Sequence, residues 1–389
     1  MEKNKENVPK IRFPGFEGPW EQRQLFDETQ NIETGKSKFQ AKESGKYEIL
    51  GSTSVIGYDD DYDYEGDFLL TARVGANAGD LYRHSGKVKI SDNTVFIQGK
   101  NIDFTYYLLM YFNIKKLAFG TGQPLVKASE LKEQKIMFPS SLDERNVIGN
   151  FFVSIDNLIT INQRKLEHLQ DKKKVLLQKM FPKEGEKFPE LRFPGFTDPW
   201  EQRKLSKIYK TIGNAFVGTA TPYYVTDGHF YLESNNVKDG QINRNAEIFI
   251  NEEFYQKQKD KWLNTGDMVM VQSGHVGHAA VIPEKLDNTA AHALIMFKNP
   301  KEKIEPYFLN YQYQTLKSKK KIKNITVGNT IKHILASDMQ DFEVDIPKFE
   351  EQTKIATFFR EIDNLITLHQ RKLEHLKQQK KGLLQQMFI

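Results

Sequence analysis

Two long segments of the chain carry apolar side chains in rows with a seven-residue spacing. In residues 151–181 the two rows are Phe152, Ile159, Leu166, Lys173 and Met180, and Ile155, Asn162, Leu169 and Leu176. In residues 358–388 they are Phe359, Ile366, Leu373, Lys380 and Met387, and Ile362, His369, Leu376 and Leu383. Two interleaved rows at this spacing are typical of coiled-coil helices. The pattern predicts two helices, each about 45 Å long at ~1.5 Å per residue.

The simplest pairing of these helices is with each other, as an antiparallel coiled coil. Both have polar residues at matching positions of the rows: Asn162 and Lys173 in the first, His369 and Lys380 in the second. Polar residues in a seam fix register and orientation and lower stability. We therefore expect these four residues to set the register, and leucine at all four to raise the thermal stability. A purely structural coiled coil, or a docking site for another protein's helices, remains an alternative.

Shorter apolar runs predict strands between the long helices. In residues 26–150 the predicted strands are 47–50, 68–71, 88–90 and 94–97, and in residues 206–357 they are 241–242, 247–250, 268–271 and 294–297. Gly, Asp and Asn bound these runs, as they commonly bound strands. Together with short helical stretches, they predict two globular α+β domains separated by the two long antiparallel helices.

The chain contains an internal duplication. Residues 11–25 match residues 191–205 at 11 of 15 positions, and residues 151–181 match residues 358–388 at 22 of 31 positions. The segments between these matches share little sequence. Two repeats are too few and too long for a solenoid. The pattern predicts a pseudo-two-fold molecule, in which two similar frames carry two dissimilar inserts.

Composition is typical of a folded globular protein. Of 389 residues, 39% are hydrophobic and 28% charged, and there is no cysteine. The length predicts two or three domains. Cysteine chemistry is excluded, including disulfides, thiolate metal sites and cysteine nucleophiles. No run reaches the ~18–20 apolar residues of a membrane span, and the first ten residues are polar, so we expect a cytoplasmic protein without membrane contact.

The small positive charge is concentrated on the long helices. The chain has 56 basic and 51 acidic residues, a net charge of +5. Residues 151–181 and 358–388 each contain six Lys or Arg and three Asp or Glu. The rest of the chain is therefore close to neutral. A charged helix face is usually just solvated, so this distribution permits nucleic-acid binding without requiring it.

Gly-rich turns after predicted strands are the candidate binding elements. They lie at residues 73–79, 119–123 and 272–278, beside side chains of the types that read base edges. Residues 317–323 are rich in lysine, which suits phosphate contact. The candidate DNA-binding residues are Arg73, Asn77, Gln123, Lys127, Gln272, His275, His278, Lys320, Lys321 and Asn329. The acidic segment 59–67 should face away from DNA or touch another protein.

No motif for catalysis is present. The sequence lacks the Asn/Asp-Pro-Pro-Tyr/Phe motif of amino-methyltransferases, a phosphate-binding Gly-Lys-Ser/Thr loop and a His-Glu-x-x-His pair. His275, His278 and His292 have only loose spacing for a metal site. We therefore expect no catalytic residue, no metal and no cofactor in this chain.

The repeated motifs resemble those of the specificity (S) subunits of type I restriction–modification enzymes. They are the Arg-Phe-Pro-Gly-Phe…Pro-Trp-Glu-Gln-Arg frames, the Ile-Asp-Asn-Leu-Ile-Thr…Gln-Arg-Lys-Leu-Glu-His-Leu helices and the unlike inserts. The resemblance covers nearly the whole chain. One small departure is Arg145, which follows Glu144 where the second copy has Gln352.

The resemblance implies two target-recognition domains, each reading one half of a split DNA sequence. The domains would be residues 1–150 and 191–357, with spacer helices at 151–182 and 358–389 and a linker at 183–190. Two methyltransferase subunits using S-adenosylmethionine, and motor/nuclease subunits using ATP and Mg²⁺, would be the protein partners beside double-stranded DNA. The alternatives are a coiled-coil adaptor whose inserts bind protein or carbohydrate and, less favoured, an unrecognised nuclease.

Overall fold

A computed structural model describes residues 7–36, 42–118, 124–328 and 332–389. Its internal contacts divide the chain into two units. The first unit comprises Met1–Arg164 and Gln370–Ile389, and the second comprises Lys165–His369. Both unit boundaries fall within long helices, whereas the sequence-based division treats the helices as separate spacers.

The first unit is built on a six-stranded sheet. Its strands are β1 (Glu21–Gln24), β2 (Asn31–Thr34), β3 (Tyr47–Leu50), β4 (Val55–Asp59), β5 (Tyr64–Ala72), β6 (Leu81–Ile90), β7 (Thr94–Gln98) and β8 (Lys135–Phe138). The sheet order is β2-β7-β5-β6-β3-β4, and β1 pairs separately with β8. Only the β3–β6 pair of this sheet is parallel in the described residues. The short helices are α1 (Ile102–Phe112) and α2 (Ala128–Lys132), with 3-10 turns at Leu25–Glu28 and Ile114–Leu117.

The second unit has more and shorter strands. They are β9 (Glu201–Lys204), β10 (Tyr209–Asn214), β11 (Tyr224–Val225), β12 (His229–Leu232), β13 (Val237–Lys238), β14 (Gln241–Ile242), β15 (Phe249–Ile250), β16 (Met268–Val271), β17 (Ala279–Val281), β18 (Ala290–Ala291), β19 (Leu294–Pro300) and β20 (Glu343–Ile346). They form the sheets β10-β19-β16-β17 and β11-β15-β12-β18 and the pairs β13-β14 and β9-β20. The predicted α+β class is confirmed.

Short helices complete the second unit. They are α4 (Leu205–Ile208), α5 (Glu252–Lys257), α6 (Pro306–Tyr313), α7 (Leu316–Ile325) and α8 (Ala336–Asp341), with 3-10 turns at Thr221–Tyr223, Ser234–Asn236, Lys259–Lys261 and Glu284–Leu286. The predicted strand 247–250 is too long, since the described strand contains only Phe249 and Ile250.

The two inserts share a four-stranded sheet order although their sequences are dissimilar. The order β2-β7-β5-β6 in the first unit corresponds to β10-β19-β16-β17 in the second. The unlike parts are additions: β3 and β4 extend the first sheet, and a separate sheet containing β11, β12, β15 and β18 belongs to the second unit. A β-core requires apolar residues of suitable volume rather than particular ones. The same sheet is therefore compatible with two dissimilar sequences.

The long helices start earlier than the heptad pattern indicates. They are α3 (Leu142–Lys179) and α9 (Phe349–Met387), which begin nine residues before the predicted starts at 151 and 358. The hydroxyl of Ser141 accepts a hydrogen bond from the Glu144 N–H at 3.3 Å, which satisfies one free donor of the first turn. The extra turns pack against their own unit, where Ile148 and Ile355 are buried. Ile148 and Ile355 lie seven residues before Ile155 and Ile362, so one apolar row continues into the extra turns. The other row has the polar residues Arg145 and Gln352 there, which ends the two-row pattern.

Buried aromatic rings join the long helices to the rest of each unit. In the first unit Phe388 packs against four rings at centroid distances of 5.7–6.0 Å: Trp20, Phe104, Tyr111 and Phe152. In the second unit Phe181 packs against three rings at 5.3–6.3 Å: Trp200, Phe308 and Phe359. Each cluster combines the repeated Trp of the frame with a ring inside one long helix, Phe152 or Phe359, and a ring just after the end of the other, Phe388 or Phe181.

A half-buried carboxylate links the helix segments within each unit. In the first unit Asp156 accepts a hydrogen bond from the Tyr107 hydroxyl at 2.6 Å and pairs with Lys380 at 2.6 Å. In the second unit Asp363 accepts from the Tyr311 hydroxyl at 2.8 Å and pairs with Lys173 at 2.6 Å. We call these the Tyr-Asp-Lys links. Together with the Phe152–Phe388 and Phe181–Phe359 contacts, they show that α3 and α9 run antiparallel within each unit.

The predicted seam is partly confirmed and partly corrected. The apolar seam positions are buried or half-buried in both helices, and Asn162 is only 4% exposed, with its amide bonded to the Leu158 carbonyl. His369 has a buried Nδ1 that finds no hydrogen-bond partner among the described residues. The expectation that leucine at Lys173 and Lys380 would stabilise the pair assumed unpaired lysines. That assumption is wrong, because both amino groups have carboxylate partners.

Removing one member of a link should therefore destabilise the protein. We expect Lys173→Leu to lower the free energy of unfolding by about 3 kcal/mol, because it leaves the largely buried Asp363 carboxylate without a cationic partner. Adding Asp363→Asn should restore most of the loss, since a neutral amide still accepts from Tyr311. Urea unfolding measures both effects. Lys172→Leu, at an exposed neighbouring position, is the control, and a Lys173→Leu protein as stable as wild type would contradict the account.

Candidate nucleic-acid interface

A Gly-rich turn follows β5 in the first unit. Gly75 and Gly79 have φ values of 90° and 88°, which glycine adopts without the strain that a side chain adds. The Gly79 N–H donates to the Ala72 carbonyl at 3.3 Å and closes the turn. The Gly75 N–H donates to the Pro124 carbonyl at 3.0 Å, and the Arg73 carbonyl accepts from Val126 at 2.8 Å. The backbone of this turn is thus fixed on both sides.

The second unit contains the same turn after β16. Gly274 and Gly277 have φ values of 79° and 86°, and the Gly277 N–H donates to the Val271 carbonyl at 3.0 Å. The Gly274 N–H donates to the Lys332 carbonyl at 3.2 Å, and the Gln272 carbonyl accepts from Ile334 at 2.9 Å. We call residues 73–80 and 272–278 the first and second reading turns.

Backbone hydrogen bonds define which residues of the two turns correspond. Arg73 corresponds to Gln272, Gly75 to Gly274 and Gly79 to Gly277. The second turn is one residue shorter, so the single residue His275 replaces Ala76 and Asn77. The two turns therefore present different side chains from backbones that differ by one residue and are held by corresponding hydrogen bonds.

Three predicted residues of the first unit lie at or beside its reading turn. Arg73 is half-buried, and its Nη1 donates to the Asp92 carbonyl at 3.3 Å. Asn77 is exposed. Lys127 follows the segment that pairs with the turn, and its Nζ lies 2.7 Å from Glu130. Gln123 lies outside the described residues.

Three predicted residues of the second unit lie in its reading turn. Gln272 is half-buried, and its Oε1 has no hydrogen-bond partner in the part of the chain that the structure describes. His275 is exposed and His278 is half-buried, with ring centroids 6.5 Å apart. Burial lowers the pKa of His278 below its ordinary value. Its Nδ1 accepts a hydrogen bond from the Asp239 N–H at 3.2 Å.

The remaining basic candidates are not brought to the turn. The Nζ of Lys320 pairs with Glu184 at 2.9 Å, and the Nζ of Lys321 donates to the Glu343 carbonyl at 3.2 Å. Lys319, Lys323 and Lys332 instead line a cavity with the second reading turn. Lys319 and Lys323 are one helical turn apart, so the i, i+4 spacing is the signal that could have selected them. Asn329 lies outside the described residues.

The acidic segment of the first unit is partly neutralised within the fold. Asp59 pairs with Lys89 at 3.0 Å, and Asp60 pairs with Lys42 at 2.6 Å. The hydrogen bond from Lys89 holds the pKa of Asp59 below its ordinary value. That this segment faces away from DNA stays a prediction.

The described residues contain neither a cluster of metal ligands nor a membrane-spanning helix. Within the described residues, no group of three or more His, Asp or Glu side chains could hold a metal ion. In the same part of the chain, no helix is both long and apolar enough to cross a membrane.

Sequence comparisons point to one family. The family model described as "Type I restriction modification DNA specificity domain" matches residues 18–171 and again residues 198–378. The chain is 25% identical to the putative type I restriction enzyme MjaX specificity subunit of Methanocaldococcus jannaschii, over 97% of this chain and 95% of that protein. It is 26% identical to the MjaVIII specificity subunit of the same organism, over 82% of this chain and 77% of that protein.

Solved structures agree with this relation in fold. The crystal structure of the type I restriction–modification S subunit from M. genitalium has a TM-score of 0.62 at 16% identity, covering 98% of this chain and 99% of that one. A chain from a structural study of assembly and conformational transition of the type I system has a TM-score of 0.54 at 14% identity, covering 97% and 99%. At these identities the likeness concerns the fold alone.

The first reading turn should not tolerate a side chain at Gly79. A Cβ there would lie 2.8 Å from the Lys115 Cα. An alanine at this position would also have to adopt the φ of 88° that the turn requires. We expect Gly79→Ala to lower the free energy of unfolding by about 2 kcal/mol. Gly99→Ala is the control, because a Cβ at Gly99 meets nothing closer than 3.5 Å. Equal thermal unfolding midpoints for the two variants would contradict the described packing.

Proposed function

The chain belongs to the type I restriction–modification DNA specificity family, and we propose that it is the subunit that selects the DNA sequence, with each unit reading one half of a bipartite target. The observation that carries this proposal is the pair of reading turns. They share backbone hydrogen bonds and two positive-φ glycines, and they differ in the side chains presented. Two unlike reading elements on one chain suit two unlike half-sites.

The side chains of the turns suit base recognition. Arginine can bind guanine through two hydrogen bonds in the major groove, and Asn or Gln can bind adenine in the same way. The first turn offers Arg73 and Asn77, and the second offers Gln272 and His275. Binding residues are commonly placed on loops that a rigid scaffold holds. We propose these four as base-reading residues, with Lys127 and His278 as supporting contacts.

Exposed residues that are apolar in both repeats support docking of a repeated partner. Leu158 and its counterpart Leu365 are 49% and 46% exposed, and Ile161 and Leu368 are 47% and 60% exposed. Substitutions at such exposed positions usually change stability by less than ~0.5 kcal/mol. The fold alone therefore does not require the repeat to keep apolar residues there. We propose that Leu158 with Ile161 forms one docking patch, and Leu365 with Leu368 the other. Each patch would bind one methyltransferase subunit, which gives two subunits per chain.

The chemistry would then belong to the partners. Methyl transfer to adenine would use S-adenosylmethionine bound by the methyltransferase subunits, and cleavage would use ATP and Mg²⁺ bound by motor/nuclease subunits. The present chain would supply the DNA sequence selection and the docking surfaces. In this proposal its own side chains contact bases and phosphates without making or breaking bonds.

Single substitutions in the turns should relax different halves of the target. We expect Arg73→Ala and Gln272→Ala each to cost about 1–3 kcal/mol in discrimination at one base pair. The affected positions should lie in opposite half-sites. Competition binding with duplexes substituted at single positions measures this. Arg244→Ala, which removes an exposed arginine paired with Glu247, is the control. Loss of discrimination in both halves from one substitution would contradict separate readout.

Charge placed in a docking patch should reduce the number of bound methyltransferase subunits. We expect Leu158→Asp to lower the number of bound methyltransferase subunits per chain from two to one. The Leu158→Asp/Leu365→Asp double variant should bind none. The reason is that each aspartate would be buried as a charge against an apolar partner surface. Native mass spectrometry measures the ratio.

Val175→Asp is the matched control for this experiment. Val175 is 52% exposed on the same helix as Leu158, but its counterpart in the second repeat is Gly382. It therefore has no repeated apolar partner position. A stoichiometry of two in the Leu158→Asp variant would show that the patch is not a docking surface.

A further inference from the structure

The two reading turns differ in charge at one corresponding position. Asp80 follows Gly79 in the first turn, and His278 follows Gly277 in the second. These glycines correspond because each N–H donates to the last residue of the preceding strand, Ala72 or Val271. The first turn therefore ends on an acidic residue where the second ends on a histidine.

In the first unit this acidic residue neutralises a neighbouring lysine. The Asp80 carboxylate lies 2.5 Å from the Nζ of Lys115. Lys115 follows Ile114, a buried residue of the core cluster beneath the turn. An amino group paired in this way has little remaining attraction for another anion.

In the second unit the corresponding place is a basic cavity of about 390 Å³. It is lined by Lys319, Lys323, Lys332, Thr326, His275 and His278, with the backbone of the turn. Lys323 follows the buried Ile322 as Lys115 follows Ile114. Within the described ranges, none of the three lysines has a carboxylate partner within 4 Å. The volume is many times the ~30 Å³ of one water, so a phosphate group fits.

His278 adds a hydrogen-bond donor to this cavity rather than a negative charge. Burial keeps its pKa below the ordinary value, which favours the neutral ring. Because Nδ1 accepts from the Asp239 N–H, the proton of the neutral ring is on Nε2. The Asp239 carboxylate lies 3.8 Å from Nδ1 and is 73% exposed, so water screens it. The cavity thus combines three cationic groups with neutral donors.

We infer that this cavity, here called the lysine pocket, binds one phosphodiester group of the DNA. The second unit then has an electrostatic contact with its half-site that the first unit lacks, because Asp80 pairs with Lys115 at the corresponding place. The inference rests on the proposed function, since it assumes that the reading turns face DNA. Lysine–phosphate contacts release counterions, so the affinity of each contact depends on salt. The two half-sites should therefore contribute unequally to the salt dependence of binding.

The test measures the binding of the full chain to duplex DNA as a function of salt concentration. Each phosphate contact contributes about 0.9 to the slope of log affinity against log salt. We expect Lys319→Ala/Lys323→Ala to reduce the slope by about 1. The matched control is Lys320→Ala/Lys321→Ala, which removes the same charge from the same helix at residues with other partners. Equal changes in both double variants would overturn the lysine pocket.

A second pair of variants tests the role of the corresponding position. His278→Asp gives the second turn an aspartate at the position of Asp80 in the first turn. We expect this variant to reduce the slope by about 1, because the new carboxylate pairs with a lysine of the pocket. His278→Asn should reduce the slope by clearly less than His278→Asp does, because an amide is neutral and pairs with no lysine. Identical slopes for these two variants would also overturn the pocket.

Failure of the inference and failure of the proposed function give different results. If wild type binds duplex DNA with a salt-dependent affinity and the lysine variants match their control, only the pocket is wrong. If wild type shows no salt-dependent binding to duplex DNA, both the pocket and the proposed function are wrong. Thermal unfolding of each variant confirms that the compared proteins are folded.

Discussion

The Tyr-Asp-Lys link is the interaction on which each unit depends. Asp156 and Asp363 are largely buried carboxylates, and each is paired with a lysine of the other long helix. Sliding one helix by a turn would leave the carboxylate unpaired, which costs about 3–5 kcal/mol in a buried site. The link therefore fixes the register that brings Phe388 or Phe181 into its aromatic cluster. The repeats share the aspartate and the lysine of the link because each unit packs the same pair of helices in the same register.

A fixed frame allows the reading elements to vary. The four-stranded order and the hydrogen bonds of the reading turn are the same in both units, while Arg73 is replaced by Gln272 and Asp80 by His278. None of these side chains contributes to the aromatic clusters or to the links. They can therefore change without loss of the frame. In this account recognition of a new DNA sequence requires new side chains, and at most a small change of turn length, on the same frame.

The sequence predicted the parts of the structure that have a local signal. The heptad rows predicted the helix pair, the apolar runs predicted most of the central strands, and the repeated motifs indicated the family, which the comparisons confirm. The common sheet order was missed because it depends on residue volume and not on identity. The partners of Lys173 and Lys380 were missed because they are distant in sequence. Lys320 and Lys321 were selected over Lys319 and Lys323 because the start of α7, and hence the inward face of that helix, was not known from the pattern.

Exchange of one insert tests the central claim most directly. Residues 26–150 would be replaced by the corresponding insert of another family member, and the chain would be expressed with its methyltransferase subunits. Sequencing the methylated adenines of the host genome then gives the recognised target. The account predicts that one half of the target changes and that the other half, read by the second unit, stays the same. A change in both halves, or in neither, would contradict it.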